Sequence, residues 1–151
     1  MKTIFVSFFF TVSCLFSTAT YSESIKPQKP AQIEFSILQK SSMSWDSGTL
    51  PKYLDKRPEI TIIKVVIPSK TSIATHKHDL INFGYLVRGQ LSLTSDGGQT
   101  ITLNEGDTII ELVNSWHSAK NEGLTEVEII VFYLGPSTSP LAIYKDAIKD
   151  D

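Results

Sequence analysis

Three histidines are all the imidazole in this 151-residue chain, and two of them stand one residue apart. His76 and His78 lie in "THKHDLINFGYLVRGQ", Thr75 to Gln90, just ahead of an apolar, strand-like run. Along a β-strand, alternate side chains share a face at a spacing of about 7 Å, so the two rings look the same way. Two neutral imidazoles so placed can reach one ion at about 2.0–2.1 Å if their rings converge. The third, His117 in "NSWHSAKNEG", follows another strand-like run and would have to come back across the fold to join them. Asn82 has the strand parity of His76 and His78, and therefore faces inward with them unless a bulge intervenes.

The elements that must position these residues read as strands. β-Branched runs occupy Glu59–Ile67, Phe83–Thr94, Gln99–Leu103, Thr108–Val113 and Glu126–Leu134, with a shorter candidate at Ile33–Leu38. Turn signals separate them, clearest at "DGG" (Asp96–Gly98) and "NEGD" (Asn104–Asp107). Ser41–Pro58, rich in Ser, Gly and Pro, reads as a long loop capping one end of the fold. Only the C-terminal stretch, with Leu141, Tyr144 and Ile148 on one side, has the spacing of a helical turn or two. Many short strands with no long helical pattern predict an all-β sandwich or barrel.

From Pro68 to Gly123 the residues resemble the cupins, small β-barrels marked by two short motifs. The first motif is two histidines separated by one residue, then a glutamate and a glycine. Here it runs His76, Lys77, His78, three residues, Asn82, six residues, Gly89. The second passes from a glycine through a proline and another glycine to a histidine and an asparagine. Here Gly106, His117 and Asn121 are in register, with Leu112 at the proline place and Asn114 at the second glycine. The resemblance implies a double-stranded β-helix, a single jelly-roll barrel over residues 33–151. It also implies a divalent transition metal (Fe, Zn, Ni, Cu or Mn) on His76, His78 and His117. Dioxygenase, isomerase or hydrolase chemistry on a small oxygenated or anionic molecule would follow, or a non-catalytic ligand-binding module, and a homodimer.

Asn82 stands where the family has its acidic ligand. An amide oxygen is neutral and a weaker donor than a carboxylate. Three readings remain: a weak ligand, a contact to bound substrate, or support for a neighbouring turn. Glu111, in "TIIELV", would be a buried carboxylate and candidate general base if its face were the interior. Carboxylates usually face solvent, and the outward placement is the plainer expectation. Tyr85 and Trp116 are pocket candidates that could equally be core. Arg88 could meet an anionic substrate or simply be a surface arginine before a turn.

The N-terminus belongs to another class. Lys2 is the only charge before Glu23, and an apolar run from Ile4 to Phe16 leads to small residues around Ala19 and Ser22. That layout predicts a secretory signal over residues 1–22, a polar leader over 23–32, and export to the periplasm or medium. The run is too short for a membrane span. The one cysteine, Cys14, lies inside it, so the mature chain would carry neither thiol nor disulfide. Charge is balanced, 14 basic against 16 acidic residues with no basic stripe, which argues against nucleic acid as a partner.

Overall fold

Among the described residues, nine strands follow one another. They are β1 (Glu59–Ile67), β2 (Ser72–Lys77), β3 (Ile81–Arg88), β4 (Gln90–Ser95), β5 (Thr100–Asn104), β6 (Thr108–Ile110), β7 (His117–Lys120), β8 (Val127–Gly135) and β9 (Ile143–Tyr144). A single 3₁₀ turn, Lys145–Ala147, ends the series. The computed structural model describes residues 33, 35–52, 57 and 59–147, and the account below is of the compact unit Phe35–Asp151. The expected signal and leader lie outside the described residues, as does Ile148. No described helix is long and apolar enough to cross a membrane.

The strands form two antiparallel sheets, β1-β8-β3-β6 and β5-β4-β7-β2-β9. This is the expected all-β jelly roll. Each sheet turns one face inward, which requires the alternation that β8 shows along its whole length. Val127, Ile129, Val131 and Tyr133 point in from β8, and meet Leu86 of β3, Leu91 and Leu93 of β4, and Ile109 of β6. Each fully buried aliphatic side chain here stabilises the fold by about 1.5–3 kcal/mol.

The predicted run Phe83–Thr94 is two strands, not one. Gly89 divides them at φ +90°, where a Cβ would lie 2.9 Å from Val127 Cγ2. Gly106, the first glycine of the second motif, also has φ +90°. At the second-glycine place Asn114 adopts φ +57° and its N–H donates to the His78 carbonyl. Asparagine is one of the few side chains that enters this left-handed region readily, so the departure from the motif keeps the turn. Asn121 explains its own place in the motif. Fully buried, it donates to the carbonyls of Ile67, Pro68 and Thr125 and accepts from the Gly123 N–H, pinning two loops together.

Phe35–Leu38, expected as part of a strand, is exposed and pairs with no strand among the described residues. Alternation makes a strand only where a neighbouring edge takes up the backbone hydrogen bonds. Within the expected loop, Ser44–Gly48 forms a turn in which Asp46 accepts from the Ser44 hydroxyl and the Gly48 N–H. Trp45 packs on the core, and its backbone N–H donates to the Ile110 carbonyl, continuing the edge of β6.

Candidate metal centre

β2 and β7 pair so that His76 stands directly opposite His117, and cross-strand partners on one face have Cβ atoms about 5 Å apart. A register shift between Ile73 and His76 aims the end of β2 into the barrel. His78 follows one residue past β2, held by a bridge to Val113. The return across the fold that the sequence required of His117 is thus made by β7. Ring centroids lie 4.5 Å (His76–His117), 4.9 Å (His76–His78) and 5.1 Å (His78–His117) apart. All three rings are buried, and their candidate ligand atoms lie within 4.8 Å of one another.

A common backbone device orients the three rings. His76 Nδ1 lies 2.8 Å from the Ala74 carbonyl, His78 Nδ1 2.5 Å from that of Leu141, and His117 Nδ1 3.0 Å from that of Ser115. A carbonyl only accepts, so each Nδ1 carries the proton and each Nε2 keeps its lone pair. That is how a histidine is set as a metal ligand, with its second nitrogen fixed by a backbone oxygen. Burial, foremost, holds His76 and His78 below the usual imidazole range, which favours the neutral, ligating form.

Glu111 is inside, which corrects the plainer expectation that it faces solvent. It is 8% exposed, and its Oε2 lies 3.2 Å from His117 Nε2. The reason is local: β6 ends at Ile110, but the Glu111 N–H still donates to the Asn82 carbonyl, so the inward parity of Ile109 carries on for one more step. Burial alone would push the Glu111 carboxyl up, but His117, His78 and His76 outweigh it and hold it low. Burial also pulls His117 down, and Glu111 beside it more than reverses this.

Asn82 faces inward as its parity required and is fully buried. Its Nδ2 reaches the Leu80 carbonyl only at 3.4 Å, and its Oδ1 has no partner. The other three candidates are not brought to the site. Tyr85 is 39% exposed on the outer face of β3, because it stands three residues from Asn82 and so has the opposite parity. Arg88, past a register shift at the end of β3, is an exposed surface group paired with Glu126 at 2.6 Å and Glu128 at 3.5 Å. Trp116, of opposite parity to His117, is half-buried under the ammonium groups of Lys77 and Lys145. Sequence reasoning missed Tyr133, whose ring lies 5.7 Å from that of His78. Burial, then the charge of Glu111, pushes its hydroxyl up to about 12, so it stays a proton donor across the physiological range. Inward parity in β8 was the available signal.

The histidines and Glu111 line a cavity of about 60 Å³, otherwise walled by aliphatic side chains such as Val65, Leu91 and Val131. Liquid water occupies about 30 Å³ per molecule, so the chamber is sized for an ion and a very small ligand. A divalent ion fits the donor set: three clustered imidazoles with Nδ1 on backbone carbonyls, and three buried atoms (His117 Nε2, Glu111 Oε2, Asn82 Oδ1) that lack any hydrogen-bond partner.

Residues 63–133 match the family described as the cupin domain. No curated protein matches the chain. Among solved structures, the DMSP lyase DddQ from Ruegeria pomeroyi DSS-3 aligns at TM-score 0.53 and 13% identity, covering 60% of this chain and 45% of that one. The polyketide cyclase RemF from Streptomyces resistomycificus aligns at 0.50 and 16%, covering 57% and 60% respectively. The chain thus spans less than two thirds of either, and the likeness is one of fold. Together with the motif spacing and the two-sheet barrel, the match identifies residues 63–133 as a cupin domain.

Proposed function

We propose that this cupin is exported and holds one divalent transition metal on His76, His78 and His117, where it acts on a small oxygenated or anionic molecule. One observation carries the reading: three buried imidazoles each have Nδ1 tied to a backbone carbonyl, and their candidate ligand atoms lie within 4.8 Å of one another. A bound ion would supply Lewis acidity and lower the pKa of coordinated water or substrate. The chain supplies the rest. Its aliphatic walls exclude bulk water, which strengthens every charge interaction inside. Glu111 places a buried carboxylate on the wall of that chamber, and Tyr133 offers a hydroxyl that can give a proton there. The size of the chamber restricts the substrate to a few heavy atoms at the reacting end.

The metal content of protein purified from the exported fraction without chelator tests this, beside a His76→Ala/His117→Ala variant shown to be folded by circular dichroism. One ion per wild-type chain and none in the variant is the expected result. Equal content in the two, or none in the wild type even after titration, would remove the metal from the proposal. Localisation is read in the same preparation, from the N-terminus of the mature chain.

The expected homodimer has support in the outer face of the four-stranded sheet. Ile60, Ile62, Phe83 and Tyr85 are all exposed there, more apolar surface than a solvated sheet face usually carries. Light scattering should give twice the chain mass, and Phe83→Lys should return it to the single value. An unchanged dimer in that variant would rule this face out.

A further inference from the structure

We infer that Glu111 is a direct fourth ligand to the metal, carrying the negative charge that the first motif lacks at Asn82. The inference rests on the metal reading above. Its core is a registry fact. β3 and β6 pair Phe83 with Ile110, Gly84 with Ile109 and Tyr85 with Thr108. Extended by one residue, the register sets Asn82 against Glu111, and the hydrogen bond from Glu111 N–H to the Asn82 carbonyl, 3.1 Å, shows that it is extended. Cross-strand partners share a face. A carboxylate on Glu111 therefore enters the barrel beside the point from which a glutamate at position 82 would enter it. The acid has moved one strand across the ladder.

The unsatisfied atoms identify what it binds. His117 donates its Nδ1 proton to the Ser115 carbonyl, so Nε2, the nitrogen turned to Glu111, is the one that takes up a proton in the metal-free protein or a metal ion in the loaded one. The two atoms are 3.2 Å apart and buried, and neither has any other hydrogen-bond partner. A carboxylate and an imidazole nitrogen held together in an aliphatic enclosure need a positive centre beside both, a proton in the metal-free protein or the ion that takes its place. Donors that share one ion at right angles, each at about 2.1 Å, stand about 3 Å from one another. The observed separation is that of neighbouring ligands. Asn82 Oδ1 is a third buried acceptor without a donor. An ion with this set carries a net charge of +1 in place of the +2 that three imidazoles leave, and hard, oxygen-accepting metals are favoured accordingly.

Cobalt(II) is the probe, with affinity read by chelator competition and first-shell composition by X-ray absorption. Three proteins are compared: wild type, Glu111→Gln, and Glu111→Gln/Asn82→Glu. Loss of an outer partner of a ligand typically weakens metal binding by about 10–100-fold, so loss of a ligand should exceed that. Glu111→Gln is expected to bind cobalt more than about 100-fold more weakly and to lose one light-atom scatterer. The double variant, which returns the acid to the motif position, is expected to regain both. Wild-type binding of cobalt with an unchanged first shell in Glu111→Gln would overturn the inference and leave the three-histidine site standing. A weakened affinity with an unchanged shell would overturn it too, making Glu111 a positioning residue. Failure of the wild type to bind cobalt would remove the metal reading itself. Should Glu111→Gln not fold, Glu111→Asp, which withdraws the carboxylate by one methylene, is read by the same two measurements.

Discussion

His117→Ala is expected to destabilise the metal-free protein by about 3 kcal/mol at neutral pH, out of proportion to the size of the side chain removed. The cost lies in what stays behind. Glu111 is buried, and its Oε2 has His117 as its close cationic partner at 3.2 Å. Removing one member of a buried pair leaves an uncompensated charge, which costs far more than the pair contributes as a pair. His117→Ala/Glu111→Gln should therefore recover most of the loss. Urea unfolding in the presence of chelator measures both. Equal stability of the single and double variants would show that Glu111 does not depend on His117.

The pH dependence carries a sign that separates this account from simple loss of packing. In the wild type Glu111 is held below its usual value of 4.5, so its contribution is present above that value and lost as pH falls through the lower folded one. His117 is held above its usual 6.5, so its contribution is complete below 6.5 and lost as pH rises through the higher folded one. The pair thus supports the metal-free fold in the window between these ranges. Without His117, burial governs Glu111 and its carboxyl pKa must rise. The variant should then gain stability as pH falls from neutral toward 5, where the wild type gains little.

The histidine constellation was legible because imidazole is rare in this chain and the spacing places every one of the three in register. Nothing about their convergence needed more than strand parity and a barrel that closes. Parity also placed Asn82 correctly and, had it been applied to Tyr85, would have put that ring outside. Arg88 escaped parity because a register shift intervenes after Leu86. Glu111 was the residue that sequence alone could not place. Both Glu111 and Leu112 are buried, so alternation breaks there, and the burial of Glu111 depends on a cross-strand bond to Asn82 at the point where β6 stops. The candidate strand at Ile33–Leu38 failed over its described residues for the complementary reason: its pattern was right, but a strand needs an edge to pair with. The turn at Asn114 shows a third case, in which a motif is altered but its φ is kept by one of the few residues besides glycine that tolerate it well.

Tyr133→Ala is expected to cost about 3–5 kcal/mol of stability, as truncation of a buried ring usually does. Its larger consequence is for access. Tyr133 is the one described residue that lines both the 60 Å³ histidine chamber and a second cavity of about 200 Å³, formed near Leu80, Pro136 and Leu141. The ring is a wall between them, and its removal joins the two. Metal-loaded Tyr133→Ala should then admit carboxylates too long for the wild type, read as displacement of bound water by a homologous series of such anions. Tyr133→Phe keeps the wall and deletes only the hydroxyl, so it should retain the wild-type size limit with stability within about 1.5 kcal/mol. If the phenylalanine variant admitted the longer anions as readily as the alanine one, the hydroxyl rather than the ring would set the limit. Ligand entry would then depend on a hydrogen bond, not on the volume of the chamber. A size limit unchanged in both variants would place the route of entry elsewhere, past Tyr144, which packs against His76 on the opposite side from His117.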